Sequence, residues 1–142
     1  MTRDAVTANT AWESLLAAHA TLTRSFAAED SWQDLSMREY DVLYTLSKCP
    51  APVRISDLNE YVLLSQPALS RLVHRLAGRG LVECGPNPAD GRGVLVSLTP
   101  AGRERQRQVG RRHARSVART LTASLDRTEL SQLASLCQKL SR

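Results

Sequence analysis

The sequence predicts a mainly α-helical chain with one small β-ribbon. Apolar residues recur at helical spacing through most of the 142 residues. Helix start and stop signals punctuate them: an S-x-x-E box at Ser36 and Glu39, Ser65 followed by Pro67, glycines at 78 and 80, and the pair Thr99-Pro100. Only two short apolar runs, Leu81–Cys84 and Val94–Leu98, have strand character, and a stretch rich in Gly, Pro, Asn and Asp separates them.

Residues 1–10 lack periodicity and are expected to fray. Trp12, Leu15, Leu16, His19, Leu22 and Phe26 then predict a first helix over about residues 10–28. Glu29–Asp34 is a polar break. Ser36 and Glu39 have capping-box spacing, with Leu35 and Tyr40 placed as a hydrophobic staple. This second helix is expected to bury Tyr40, Leu43, Tyr44 and Leu46. It must stop before Cys49-Pro50, because proline disfavours helical backbone in the residue before it. A short third helix follows, with Ser56 as its cap and Leu58, Tyr61 and Val62 inward.

Ser65 caps a fourth helix, and Pro67 sits in the first turn, where a missing N–H costs little. Leu69, Leu72, Val73 and Leu76 form one apolar stripe. Gly85 to Gly93 reads as the loop of the ribbon. Thr99 and Pro100 read as N-cap and first residue of a fifth helix. That helix is polar on all sides from Arg103 to Arg115, apart from Val109, which is typical of a helix bridging parts of a structure. Asp126 or Thr128 caps a last helix with Leu130, Leu133, Leu136, Cys137 and Leu140 inward.

The net charge of +5 favours an anionic partner. It is unevenly spread: −3 over residues 1–50, +1 over 51–102 and +7 over 103–142. At 42% apolar residues the chain can form a core, and with only 4% aromatics that core must be mostly Leu, Val and Ala. Cys49, Cys84 and Cys137 lie far apart with no CxxC pair, so neither a zinc site nor a disulfide framework is expected. Each cysteine reads as a small buried or idle thiol. No metal and no cofactor are expected. With no secretory signal pattern and no apolar run of spanning length, the expectation is a cytoplasmic protein with no membrane partner. G-x-S-x-G, P-loop and H-E-x-x-H motifs are absent, so the chain does not read as an enzyme.

Residues 65–102 carry the functional signal. A helix followed by a β-ribbon can present side chains to both grooves of DNA. The polar face of the fourth helix holds Gln66, Ser70, Arg71, His74 and Arg75, with Ser65 at its start. Arg71 has an ordinary alternative as a solvated charge, and Asp90 and Arg92 as turn chemistry. An adaptor that binds protein instead of DNA would show an apolar or acidic face here, against the cationic one present.

The order helix, helix, recognition helix, strand, wing, strand is that of a winged helix-turn-helix. RLVHRLAGRGLVE, the Asp90-Gly91-Arg92 loop and VSLTPAG resemble the MarR family of bacterial transcriptional regulators. The D-x-R wing and the L-T-x-x-G exit (Leu98, Thr99, Gly102) are characteristic of that family. The resemblance implies a homodimerising segment at 1–34, a winged DNA-binding domain at 35–102, and linker and dimerisation helices at 103–142. It implies that Ser65, Gln66, Ser70, Arg71, His74 and Arg75 face double-stranded DNA, with Asp90 orienting Arg92 into the minor groove. Cys84 and Gly85 stand where many relatives have basic residues, and Gly93 loosens the wing tip. Relatives commonly bind small aromatic acids between the dimer helices and the winged domain. The residues implied for such an effector are His19, Tyr44 and Arg115, each of which also reads as a packing or surface residue. For the arginine run 103–119, pairing across subunits with the acidic N-terminal segment is the preferred reading, and a general DNA-attracting field is second.

Overall fold

A computed structural model describes residues 1–141, with Asp90 and Arg92 described by their backbone alone. Among these residues, six helices and three strands run in the order α1 (Arg3–Ala27), α2 (Met37–Ser47), β1 (Val53–Arg54), α3 (Ile55–Leu58), α4 (Gln66–Gly78), β2 (Val82–Asn87), β3 (Asp90–Leu98), α5 (Pro100–Thr122) and α6 (Arg127–Leu140). The antiparallel sheet has the order β1-β3-β2.

Local chemistry sets most helix starts as expected. At α2 the Ser36 hydroxyl accepts the Glu39 N–H at 3.0 Å, and the Ser36 N–H donates to the Glu39 carboxylate at 2.8 Å. The staple residues Leu35 and Tyr40 are both buried. Ser65 Oγ accepts the Ala68 N–H at the start of α4, and Thr99 Oγ1 accepts the Gly102 N–H at the start of α5. Asp126, rather than Thr128, caps α6 in a second capping box with Glu129.

The core forms where α4 lies over α2, α3 and the sheet. Leu69, Leu72, Val73 and Leu76 are buried together with Val42, Leu43, Leu58 and Val96. This is the stripe that the spacing predicts. The end of α4 is a tight turn in which Gly80 takes a left-handed φ of 74°, a conformation that glycine adopts without steric cost.

Several expectations are corrected. The first residues are helical, because Thr2 caps α1 through the Ala5 N–H and Asp4 favours the positive end of the helix dipole. The third helix begins at Ile55 after Arg54, not after a Ser56 cap, because Val53 and Arg54 pair with β3 as a strand the sequence did not suggest. Tyr61 is 73% exposed, since α3 ends at Leu58 and helical spacing no longer applies. Tyr44 is 45% exposed and Val42 takes a core position in its place. The expected loop 85–93 is mostly strand: β2 continues to Asn87, and only Pro88 and Ala89 separate it from β3. Pro86 is tolerated because β2 is an edge strand. Cys84, on that edge strand, is exposed rather than buried. The α6 stripe has no buried residue: Leu133, Leu136 and Leu140 are exposed, and Leu130 and Cys137 are only partly covered.

Candidate nucleic-acid interface

Burying the apolar stripe of α4 turns its opposite face outward. Ser65, Gln66, Ser70, Arg71, His74 and Arg75 are all exposed. Ser70, Arg71, His74 and Arg75 line one shallow surface groove of about 450 Å³. Among the described residues neither arginine has a carboxylate within ion-pair distance. The groove thus carries two uncompensated guanidiniums, suited to phosphate oxygens or to the acceptor edge of guanine. Ser65 has a second task, since its hydroxyl already caps the helix.

The β2–β3 hairpin projects beside α4. Its turn is closed by the Ala89 N–H donating to Asn87 Oδ1 at 3.0 Å. Asp90 pairs with Asn87, and the register then jumps so that Pro86 faces Val94. Gly91, Arg92 and Gly93 therefore bulge from β3, and a bulge re-aims side chains at a strand end. The side chains of Asp90 and Arg92, with the role expected for them, lie outside the described residues.

α5 leaves the hairpin at a very close crossing. A Cβ on Gly102 would stand 1.8 Å from the Leu81 carbonyl oxygen. The same turn is closed by the Thr99 hydroxyl donating to the Gly80 carbonyl at 2.6 Å and by the Thr99 N–H donating to the Leu81 carbonyl at 3.3 Å. The L-T-x-x-G exit is thus a packing device: threonine caps the helix and ties it to the α4–β2 turn, and only glycine permits the approach.

Between α2 and α5 lies an open cavity of about 920 Å³, with Tyr40, Tyr44, Gln106, His113 and Leu121 in its walls and Leu130 at the α6 end. Of the three residues implied for an effector, Tyr44 lines this cavity. Arg115 lies on a separate polar depression with Gln33, Arg111 and Arg112, and His19 is exposed on α1. The structure does not bring the three together.

His113 is the residue that sequence reasoning did not place there. Its ring stands 4.8 Å from Trp32, 5.3 Å from Phe26 and 5.5 Å from Tyr40, and its Nδ1 is buried without a hydrogen-bond partner among the described residues. Burial pushes its pKa below the usual histidine value, against an opposing pull from Glu29. Burial likewise raises the Tyr40 hydroxyl, against a hydrogen bond with Gln106, and the Asp41 carboxyl, against the charge of Arg38. The spacing of His113 from the buried Val109, one helical turn away, is the signal that would have found it.

The arginine run is partly neutralised within the chain. Arg105 pairs with Asp34, and Arg107 lies 3.9 Å from Glu104. Arg105 thus meets an acidic residue of the N-terminal segment within its own chain. Among the described residues no helix is long and apolar enough to cross a membrane.

Comparison with known proteins agrees with this architecture. The sequence profile of the MarR family matches residues 33–93. The multiple antibiotic resistance protein MarR of Salmonella typhimurium is 32% identical over 107 residues, covering 75% of this chain and 74% of that one. A cysteine-to-serine mutant of Escherichia coli MarR complexed with operator DNA superposes with a TM-score of 0.76 at 29% identity, covering 90% of this chain and 91% of that one. The PcaV transcriptional regulator of Streptomyces coelicolor, in complex with its natural ligand, gives 0.70 at 26% identity, covering 99% and 96%. With the capped recognition helix, the hairpin wing and the L-T-x-x-G exit all in place, the chain belongs to the MarR family of transcriptional regulators.

Proposed function

We propose that the chain is a sequence-specific repressor that binds a pseudo-palindromic operator as a homodimer and is released by a small phenolic or similar ligand. The observation that carries the DNA reading is the exposed face of α4, with Arg71 and Arg75 free of carboxylate partners among the described residues. Ser65, Gln66, Ser70, Arg71, His74 and Arg75 would enter the major groove. Asp90 and Arg92 would act at the wing, where a narrow minor groove attracts arginine. Two copies of α4 about 34–36 Å apart would read successive major grooves.

The exposed apolar residues Trp12, Leu15 and Leu16 on α1 and Leu133, Leu136 and Leu140 on α6 support residues 1–34 and 103–142 as the dimerising parts, leaving 35–102 to read DNA. Six large apolar side chains left in water are better covered by a second copy through a self-complementary interface. The cavity between α2 and α5 supports the ligand reading. Its volume of about 920 Å³ lies within the ordinary range for small-molecule sites. A ligand there favours release only if it binds better to a dimer whose reading heads are wrongly spaced.

The test is a mobility-shift titration with selected and random DNA. Arg71→Ala is expected to weaken selected DNA more than random DNA, because a base contact carries about 1–3 kcal/mol of discrimination. Equal losses would leave Arg71 with phosphate alone. Arg92→Ala is expected to weaken operator binding, and unchanged affinity would mean that Arg92 makes no contact with DNA.

A further inference from the structure

We propose that Asp34, in the surface turn between α1 and α2, is a positioning residue for DNA binding, tying the recognition helix α4 to the long helix α5. The proposal rests on the DNA-binding reading above and adds a residue that touches no DNA. Arg79 is the C-cap residue of α4. Its guanidinium reaches Asp34 Oδ2 at 2.9 Å, the Asp34 backbone carbonyl at 3.1 Å and Glu39 Oε2 at 3.2 Å. The other Asp34 oxygen, Oδ1, accepts from Arg105 on α5. One carboxylate is therefore shared by an arginine from the reading head and an arginine from the helix that continues toward α6.

The turn that carries Asp34 is itself held on both sides. Trp32 and Leu35 are buried in the core, and the Trp32 indole N–H donates to the Phe26 carbonyl at 2.7 Å. Gln33 takes a left-handed φ of 58°, which non-glycine residues seldom adopt. Glu29, at the start of the turn, accepts from the Ser116 hydroxyl further along α5. Residues 29–35 thus form a strap fixed to α5 at Ser116 and at Arg105. These positions are 11 residues apart, or about 16 Å along the helix. Glu39 is also fixed, because its second oxygen closes the α2 capping box.

Stability alone does not account for the arrangement. Asp34 is 60% exposed, and exposed ion pairs add little to folding. What a two-armed carboxylate on a braced turn adds is geometry: it fixes the angle between α4 and α5. In a dimer held through the helices beyond α5, that angle sets the separation of the two recognition helices.

The experiment compares the full-length wild type with Asp34→Asn, Asp34→Glu, Arg105→Gln and the Asp34→Asn/Arg105→Gln double variant. DNA selected from a random pool by the wild type is the probe, with a second probe carrying one extra base pair between its half-sites. Asp34→Asn is expected to weaken binding roughly two- to thirtyfold, the range in which residues remote from a ligand alter its affinity. It should also narrow the difference between the two probes, because a loosened head tolerates altered spacing. The salt dependence of binding should be unchanged, since no phosphate contact is lost. Asp34→Glu should restore part of the affinity, and the double variant should be no weaker than the more affected single one. Melting temperature and sedimentation confirm that each variant is folded and associated as the wild type is. Equal affinity and equal spacing preference in Asp34→Asn would overturn the proposal, as would a shallower salt slope. A wild type that selects no DNA would overturn the DNA-binding reading, and the positioning role with it.

Discussion

Replacing Gly102 by alanine sets two physical effects against each other. Alanine is the better helix former by about 1 kcal/mol, and Gly102 lies in the first turn of α5, so propensity alone predicts stabilisation. The structure predicts the opposite. The added Cβ would sit 1.8 Å from the Leu81 carbonyl oxygen and 2.8 Å from its carbon, so the two backbones must part until that first contact exceeds 3.0 Å. Backbone cannot rotate away as a side chain can. Overpacking of this kind costs roughly 1–3 kcal/mol. The parting also stretches the bonds from Thr99 to Gly80 and Leu81, each worth about 0.5–1.5 kcal/mol. The clash outweighs propensity, leaving a net loss of about 2–3 kcal/mol. For a chain of this size that lowers Tm by roughly 6–12 °C. Thermal unfolding at matched protomer concentration is the assay, since association also shifts Tm. An unchanged or raised Tm in Gly102→Ala would refute the close crossing, and with it the packing explanation of the L-T-x-x-G exit.

Two further outcomes are expected. His113 is held below its usual pKa by burial, so the unfolded chain binds the proton first as pH falls; stability is complete above about pH 6.5 and declines below it, toward the folded pKa. Urea midpoints at pH 7.5 and 5.5 should therefore differ more in the wild type than in His113→Phe, and equal differences would mean that the aromatic cage does not set the titration. Truncation before Asp126 removes Leu130, Leu133, Leu136 and Leu140 and should leave a monomer in sedimentation; a truncated chain that still sediments as a dimer would place the interface elsewhere.

Local chemistry was legible in the sequence, and contacts between distant residues were not. Ser36 with Glu39, Ser65 with Pro67, and Thr99 with Pro100 announce their helices because a cap satisfies its own neighbours. The α4 stripe was equally plain, since a period of 3.6 needs no knowledge of the partner. β1 was hidden because two residues carry no periodicity and pair with β3 some 40 positions later. The loop reading of 85–93 failed because pairing with β3 overrode the turn preference of Gly85, Pro86 and Asn87. Tyr44 and Tyr61 were misassigned by extending a helical period onto a half-exposed face and beyond a helix end. The exposed polar face of α4 was also legible, and the grouping of Ser70, Arg71, His74 and Arg75 follows from one helix alone. The joining of Asp34 to Arg79 and Arg105 spans 45 and 71 residues, and no local pattern reports it.

Selection of bound sequences from a random pool by the full chain decides whether two copies of α4 read DNA together. Two reading heads related by a dyad should yield a two-fold symmetric consensus whose half-sites lie about one helical turn apart. An asymmetric consensus, or no enrichment of any sequence over the starting pool, would contradict it.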